Sequence, residues 1–578
     1  MAADNVFQGS LFTIDFLRES IARESDWQTL SESEIDRLAA DLGEIYRDFP
    51  TDKTPNESQT EDDLIWKILN RLGWTASLRQ QILASRGRDD VPDGVLFKDD
   101  TVKKQANSFS EEWKRYEFGL VIVESKRWNR PLDRLSGRRG EETAPSTQML
   151  RYLRRVDDLT VGKLRWGILT NGGRWRLYYA GARSVSEQFF EIDLAALLAI
   201  SGEDDGHFAL TPDERRHWLR VFALIFRRES FLPRPHDPRI FHQRAIEEGR
   251  FYEKRVAESL SELVFGTIFP ELVLAIAAAA PAAPLPEVRD ATLILLYRLL
   301  FILYAEDRDL LPIGDERYRA YGLRDGVRND IRRRKDNNDI FSATAVRYWA
   351  TLQDLCRAIH EGDGSIGLPP YNGGLFNPER TPLLASVRLG DAVIADVIDA
   401  LSFERTGDGR KYINYRDLGV QQLGSIYERL LEHEVRREGD EIVIRPNSFA
   451  RKNSGSYYTP EDLVGLIIEE TIEPLAAARF NTFAAKVQEL KSSKLDVGRR
   501  LGQLAFIDPA EKLLDLKICD PAMGSGHFLV ALADTLADRV ITAMDEAREM
   551  VTWGDYVSPL IGRIDTIRNT ILAHDQTS

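Results

Sequence analysis

The chain has 578 residues, too many for one hydrophobic core and enough for roughly three or four folding units. A formal net charge of −15 excludes a protein that coats nucleic acid through bulk electrostatics, so any DNA contact must be local. The only two cysteines, Cys356 and Cys519, exclude a disulfide framework or a cysteine-rich zinc site, and any metal should be held by oxygen ligands.

The start MAADNVFQGS has no basic and apolar signal pattern, and no uninterrupted apolar run reaches membrane length. A cytoplasmic protein with no membrane partner is expected. From about residue 60 to 195 one amphipathic helix alternates with strand-like runs, a mixed α/β texture. Glu61 opens the helix EDDLIWKILNRLGW. Asp93 stands in the Pro-Asp-Gly start of the strand-like run PDGVLF. About thirty residues later Gly119 to Lys126 is apolar on both faces until it reaches Glu124, Ser125 and Lys126, as a central strand emerging at a site would be. Period two puts Glu124 and Lys126 on one face. Downstream, Gln148 and Tyr152 share a helical face at i, i+4. The run LRWGILTNGGRWRLYY then reads as two strands joined by Asn171, Gly172 and Gly173, which tolerate the positive φ of a tight turn.

Two carboxylates and a lysine converging at neighbouring strand ends suit phosphodiester hydrolysis. Carboxylate oxygens can hold Mg²⁺, which activates water and stabilises charge on phosphorus, while Lys126 orients the nucleophile or neutralises the transition state. Taken together, Pro92-Asp93, Glu124-Ser125-Lys126 and Gln148-x-x-x-Tyr152 resemble the PD-(D/E)xK nuclease superfamily over roughly residues 55 to 195. The resemblance implies Asp93 and Glu124 as metal ligands and Lys126, Gln148 and Glu61 as further members of the catalytic set.

From about 205 to 440 the pattern is mostly helical, with ATLILLYRLLFILYAEDRDLLP as its most apolar helix, ended by Pro312. Within it, Arg324, Arg328, Arg332, Arg333, Arg334 and Lys335 form a basic cluster. A DNA contact is one reading of it and a solvated helix face the favoured one. Near 450 a third segment begins. A Tyr-Tyr-Thr-Pro turn leads into a helix, and then Leu513 to Asp520 reads as an apolar strand before a glycine turn and a helix from His527 to Val540.

That strand, turn and helix has the Rossmann pattern, in which glycines let a ligand approach the backbone at a helix N-terminus. The string Asp520-Pro521-Ala522-Met523-Gly524-Ser525-Gly526-His527-Phe528 resembles the S-adenosylmethionine motif of amino-group DNA methyltransferases. Gly455-Ser-Tyr-Tyr-Thr-Pro460 resembles the companion motif of their adenine-N6 group. The resemblance implies cofactor contacts from Tyr458, Thr459 and Pro460 and from Asp520, Pro521, Ala522, Gly524, Ser525, Gly526 and Phe528.

With RLLFILYAEDRDLLP, Tyr371 to Phe376 and LGSIYERLLEHEV added, the chain resembles fused type IIG restriction-modification enzymes. The implied order is a nuclease domain at 1–200, a helical connector at 201–445 and the first part of an adenine methyltransferase at 446–578, acting on double-stranded DNA in phage defence. The polar-Pro-Pro-aromatic loop that orients a flipped adenine is missing after residue 526. Leu368-Pro369-Pro370-Tyr371 is a decoy, since Leu368 is apolar and the loop precedes the cofactor motif. No acidic residue for the ribose hydroxyls stands out after the glycines. These departures suggest a fragment or half of a split enzyme, completed by a second polypeptide that would pair with an apolar strand edge near Leu514 to Ile518. Two alternatives stay open: a defence-system methyltransferase whose nuclease-like domain does not cut, and a DNA-binding or cofactor-sensing subunit.

Overall fold

Seven strands form one mixed sheet in the order β1-β7-β6-β5-β4-β3-β2, with β1 Phe7–Gln8, β2 Ser77–Arg79, β3 Gly94–Leu96, β4 Val121–Ser125, β5 Trp166–Thr170, β6 Arg174–Tyr179 and β7 Phe189–Asp193. Only β4 and β5 run parallel, joined by a crossover that carries the helix Pro145–Leu159; every other pair is antiparallel. The computed structural model describes the whole chain except residues 1–5, 52–54, 84–90, 134–143, 183, 201–209, 372–373, 407–408, 420–421, 425, 427–432, 440, 447–458, 524–525 and 576–578.

The central strands are apolar on both sides because both faces of the sheet are covered. Val121, Val123, Ile168, Trp175 and Leu177 face one core, built with the helices Glu32–Asp48 and Pro212–Phe226 and the helical run 57–71. Ile122, Leu169 and Tyr178 face the other, with Met149, Leu153 and Val156 of the Pro145–Leu159 helix. Between β5 and β6 Gly172 takes a φ of +84°, while Asn171 Oδ1 accepts from the backbone N–H of Gly173 and Arg174 at 3.0 and 2.7 Å. The tight turn expected at Asn171 to Gly173 is therefore present.

Contacts divide the chain into two compact units. The first comprises Met1–Arg250, Phe483–Ala510 and Asp534–Tyr556. It runs past residue 200 because Trp218, Phe222 and Phe226 pack on Phe7, Trp175 and Phe190. Within this unit Arg151 and Arg154 pair with Asp545 and Asp538 at 3.5 and 2.5 Å, and Arg155 pairs with Glu549. The acidic partners belong to the helix His527–Met550, which extends beyond the expected end at Val540.

The second unit comprises Phe251–Thr482, Glu511–Ala533 and Val557–Ser578 and is mainly helical. Its core surrounds the helix Leu285–Asp307. That helix stops ahead of Pro312, the expected terminus. Its buried Glu306 accepts from the N–H of Leu323 and Arg324 at 2.8 and 2.6 Å, and Asp309 adopts a left-handed φ of +57°. One helical run, Phe241–Ala279, is long and apolar enough to cross a membrane by length and composition, with a mean hydropathy of 1.8 in its most apolar window. Glu262 and Glu271 interrupt its apolar part, so it is not an uninterrupted apolar run. Here Val264, Ile268, Leu272, Val273 and Ile276 supply the helical core.

Of the basic cluster, Arg332 to Lys335 lie on the helix Asn329–Asp336 and are neutralised within the chain, while Arg324 and Arg328 belong to the preceding turn Leu323–Arg328. Arg333 pairs with Asp330 at 2.6 Å, Arg332 with Asp336 at 3.7 Å, Arg334 with Asp339 at 3.5 Å, and Lys335 with Asp396 and Asp399 at 2.7 and 3.1 Å. A second expectation fails at Leu513 to Asp520. Pro509–Leu514 is a helix and the residues after it, through Asp520, form no strand. A strand needs a ladder partner for its backbone groups, and among the described residues from 459 to 575 there are only helices and irregular chain. No strand edge near Leu514 to Ile518 is therefore present.

Fully buried His242 donates from Nε2 to the carbonyl of Ile225 at 2.8 Å among Trp166 and Phe231, and burial holds its pKa down to about 4. The unfolded chain, with a histidine pKa near 6.5, binds that proton more readily. Its stabilising contribution is thus complete above about pH 6.5 and is lost as pH falls toward about 4, at most roughly 3 kcal/mol. Denaturant unfolding of wild type and His242→Gln at about pH 7.5 and about pH 5 should show a smaller acid loss in the variant. Equal losses would remove His242 as the cause.

Candidate metal centre

Three elements bring carboxylates to one end of the sheet. The helical run starts at Glu57, capped by Asn56, whose side chain accepts from Gln59 N at 2.8 Å while Gln59 reaches back to the Asn56 N–H. One turn on, Glu61 opens a wider π turn over Glu61–Ile65, and the i, i+4 spacing keeps Glu57 and Glu61 on one side. Asp93 directly precedes β3. Its carbonyl accepts from Gln80 N at 3.1 Å, and its Oδ2 accepts from both the backbone N–H and the hydroxyl of Ser125 at 2.7 Å each. Ligand oxygens of Glu57, Glu61 and Asp93 all lie within 4.8 Å of one another.

Glu124 and Lys126 leave β4 beside this cluster and pair with each other, both almost wholly buried. Lys126 Nζ also lies 3.5 Å from Glu57. Burial, reinforced by the charge of Asp93, pushes the Glu124 carboxyl up to about 8, against the pull of Lys126. Burial would lower Lys126, but the charges of Glu124, Glu57 and Asp93 outweigh it and hold the ammonium above its ordinary range. Glu61 is raised by burial and then by Asp93. Glu124 Oε2 is buried and has no hydrogen-bond partner among the described residues.

Arg79, at the end of β2, closes the outer side. Its guanidinium reaches Glu61 and Asp62 at 2.5 Å each and lies 4.9 Å from the Trp66 ring centroid. Trp66 comes that close to the sheet because position 94 is glycine; a Cβ there would meet its ring at 2.5 Å.

Of the residues singled out in the sequence, Glu61, Asp93, Glu124 and Lys126 converge here. Beside the expected pair of Asp93 and Glu124, Glu57 and Glu61 bring carboxylate oxygens within 4.8 Å of Asp93, while Glu124 pairs through one oxygen with Lys126. Gln148 donates to the Tyr152 hydroxyl at 2.8 Å rather than to a carboxylate. Glu57, Ser125 and Arg79 were not singled out. Glu57 had a signal, one turn before Glu61; Arg79 had none, because it reaches the site only through β2–β3 pairing, opposite Gly94.

An all-oxygen donor set with an orphaned buried carboxylate oxygen fits a hard divalent cation such as Mg²⁺. Asp93 and Glu124, with Glu61 and Glu57 near them, are the residues that would hold it.

The cofactor string is on the second unit up to Ala533. Asp520 Oδ1 accepts from Ala522 N at 2.9 Å beside Pro521. Gly526, at a φ of +80° with open space where a Cβ would stand, precedes the helix that carries Phe528. Thr459 and Pro460 precede the helix Glu461–Lys491 as expected. Tyr458, Gly524 and Ser525 lie outside the described residues.

Fold and site together define a mixed α/β multidomain protein with an acidic cation-binding geometry around a buried lysine. Over 266 residues, 41% of the chain, it is 27% identical to a protein of Methanocaldococcus jannaschii described as "Putative type II restriction enzyme and methyltransferase RM.MjaORFECS2P". The matched stretch is 20% of that relative, so the chain spans about a fifth of its length. No family model matches the chain, and no solved structure matches it.

Because Asp93 pushes both Glu61 and Glu124 upward, Asp93→Asn should relieve repulsion while keeping an acceptor for Ser125. In chelator, the variant should melt a few degrees above wild type, the scale of roughly 1 kcal/mol. Mg²⁺ should then stabilise wild type more than the variant. Thermal melts with and without Mg²⁺ check both; a lower melting point in chelator together with an intact Mg²⁺ shift would refute the assignment.

Proposed function

We propose that the chain is the nuclease and connector part of a DNA restriction-modification enzyme, with a PD-(D/E)xK site that cleaves double-stranded DNA in a Mg²⁺-dependent reaction. The observation that carries this is the convergence of Asp93, Glu124 and Lys126 at neighbouring strand ends. The name of the distant relative points the same way. When bound, Mg²⁺ supplies an activated water and stabilises charge on the phosphoryl group. Asp93 and Glu124 would hold it, with Glu61 supporting them from the helical run, and Ser125 fixes the Asp93 carboxylate. Lys126, held beside Glu124 and Glu57, would orient the attacking water or meet the transition-state charge. Gln148, bonded to the Tyr152 hydroxyl, would act as a positioning residue.

In this proposal the functional segments are 1–200, 201–445 and 446–578, the last belonging to an adenine-N6 methyltransferase that uses S-adenosylmethionine. Tyr458, Thr459, Pro460, Asp520, Pro521, Ala522, Gly524, Ser525, Gly526 and Phe528 are its cofactor residues. Its place of action is the cytoplasm, in phage defence, with double-stranded DNA as its partner and a second polypeptide as a further candidate partner.

Asp93→Ala, Glu124→Ala and Lys126→Ala should each reduce Mg²⁺-dependent plasmid cleavage by orders of magnitude, the first two by removing ligands and the third without loss of cation binding. Circular dichroism controls for folding. Cleavage by the double carboxylate variant at the wild-type rate would mean that the site is elsewhere, and a folded wild type that never cuts would favour a DNA-binding role.

At the glycine turn, Gly526→Val forces a side chain into a left-handed backbone position. Calorimetry should find S-adenosylmethionine binding in the wild type and its loss in the variant. Equal affinities would contradict the cofactor assignment.

A further inference from the structure

We propose that the turn 127–130, which follows Lys126 out of β4, is the surface that holds the phosphate backbone of double-stranded DNA beside the site, with Arg127 as its phosphate-binding charge. This rests on the nuclease proposal and names where that site grips its substrate.

Directly after Lys126 the chain reverses. Arg130 N donates to Arg127 O at 3.1 Å, and Asn129 takes a left-handed φ of +57°, which asparagine tolerates at a turn corner. Such a turn keeps its first and fourth Cα atoms within about 7 Å, so Arg127 and Arg130 stand side by side. Its corner is braced from two elements of the first unit. Trp128 N donates to Oγ1 of the buried Thr60 at 3.1 Å, and the Trp128 ring meets Tyr46 and Phe49 edge-on, at 6.0 and 5.8 Å between centroids. Asn171 Nδ2 donates to the Arg130 carbonyl at 2.9 Å. The turn is thereby tied to the helical run that carries Glu57 and Glu61 and to the hairpin after β5, so its side chains are placed before DNA arrives and less ordering is lost on binding.

Charge singles out Arg127. It is partly exposed, and among the described residues its guanidinium makes no ion pair and no hydrogen bond. The carboxylates of the elements that meet the turn are engaged elsewhere: Glu57 with Lys126 at 3.5 Å and Glu61 with Arg79 at 2.5 Å. Asp133, the only acidic residue from 126 to 133, is held by the buried Arg176 through two bonds of 2.6 and 2.8 Å. The arginines of the helices Pro145–Leu159 and Asn329–Asp336 differ, since Arg151, Arg154, Arg155 and Arg332 to Arg334 all have acidic partners. In a chain of net charge −15 any DNA contact has to be local, and a guanidinium left uncommitted on a braced turn next to the reactive groups is the complement of a phosphate. Such a contact reads no base edge, so it positions the duplex and adds no sequence preference.

The test is fluorescence anisotropy of labelled duplexes on the full chain over a range of salt, with Ca²⁺ in place of Mg²⁺, because Ca²⁺ accepts the same oxygen donors without the octahedral geometry of Mg²⁺. Arg127→Gln should bind several-fold more weakly, by the same factor on unrelated sequences, and should lower the slope of log affinity against log salt by about one. Arg127→Lys should keep the wild-type slope, which lysine would not restore if the guanidinium served only packing. Arg333→Gln, whose charge is already paired with Asp330, should match wild type. A wild type that binds no DNA, or an Arg127→Gln chain with wild-type affinity and slope, would overturn the proposal. In the second case Mg²⁺-dependent cleavage that Lys126→Ala abolishes would leave the nuclease proposal standing. A lowered slope in Arg127→Gln together with no cleavage by wild type would uphold the phosphate contact and remove the nuclease.

Discussion

Ser125 holds Asp93 twice, through its backbone N–H and its hydroxyl, and the geometry of the site depends on that pair of bonds. Charge-assisted hydrogen bonds to one carboxylate oxygen fix both its direction and its rotamer. They also tie the segment before β3 to the end of β4, where Glu124 and Lys126 emerge. The backbone continues the bracing: Lys126 N donates to Thr170 O at 2.8 Å, so the lysine leaves the strand already anchored to β5. Position along three strands is thus converted into the position of two carboxylates and one ammonium.

The same arrangement is costly to the fold. Glu124 and Lys126 are removed from water, and a buried pair regains that desolvation only in part. Asp93 adds like charge, and one Glu124 oxygen gains no hydrogen bond among the described residues. Apolar residues of similar size would suit β4 better, as Val121, Ile122 and Val123 show. A central strand that abandons apolar character only at its last residues is what a site built at the expense of stability looks like. Surrounding packing meets the cost, with aromatic and aliphatic cores on both faces of the sheet.

How much of this was legible in the sequence follows from how local each cause is. Period two and an apolar run located β4 and the emergence of Glu124 and Lys126, because strand geometry is set by neighbours in the chain. Asn171 to Gly173 gave the hairpin by turn chemistry. Glu57 was readable from i, i+4 spacing and was passed over in favour of Glu61. Arg79 depends on β2–β3 register, and no local pattern encodes it. Leu513 to Asp520 failed in the opposite way: its strand-like composition is real, but composition supplies no ladder partner. Glu306 and Asp307, which read only as part of a helix, organise distant chain by accepting from Tyr318, Leu323, Tyr412 and Tyr415.

Charge balance links the site to the composition of the whole chain. The basic groups on the helices Asn329–Asp336 and Pro145–Leu159 are paired with carboxylates of the same unit, so they offer little uncompensated charge to a phosphate backbone. At the site, among the described residues, Glu57, Glu61, Asp62, Asp93 and Glu124 pair with Arg79 and Lys126, which leaves three negative charges among these groups, or two if Glu124 is protonated. A polyanion is repelled by such a surface. A divalent cation brings it close to neutrality. On the nuclease proposal, the cation that equips the site for chemistry also removes most of this repulsion, so that an acidic chain holds DNA at the proposed site without a broad basic surface.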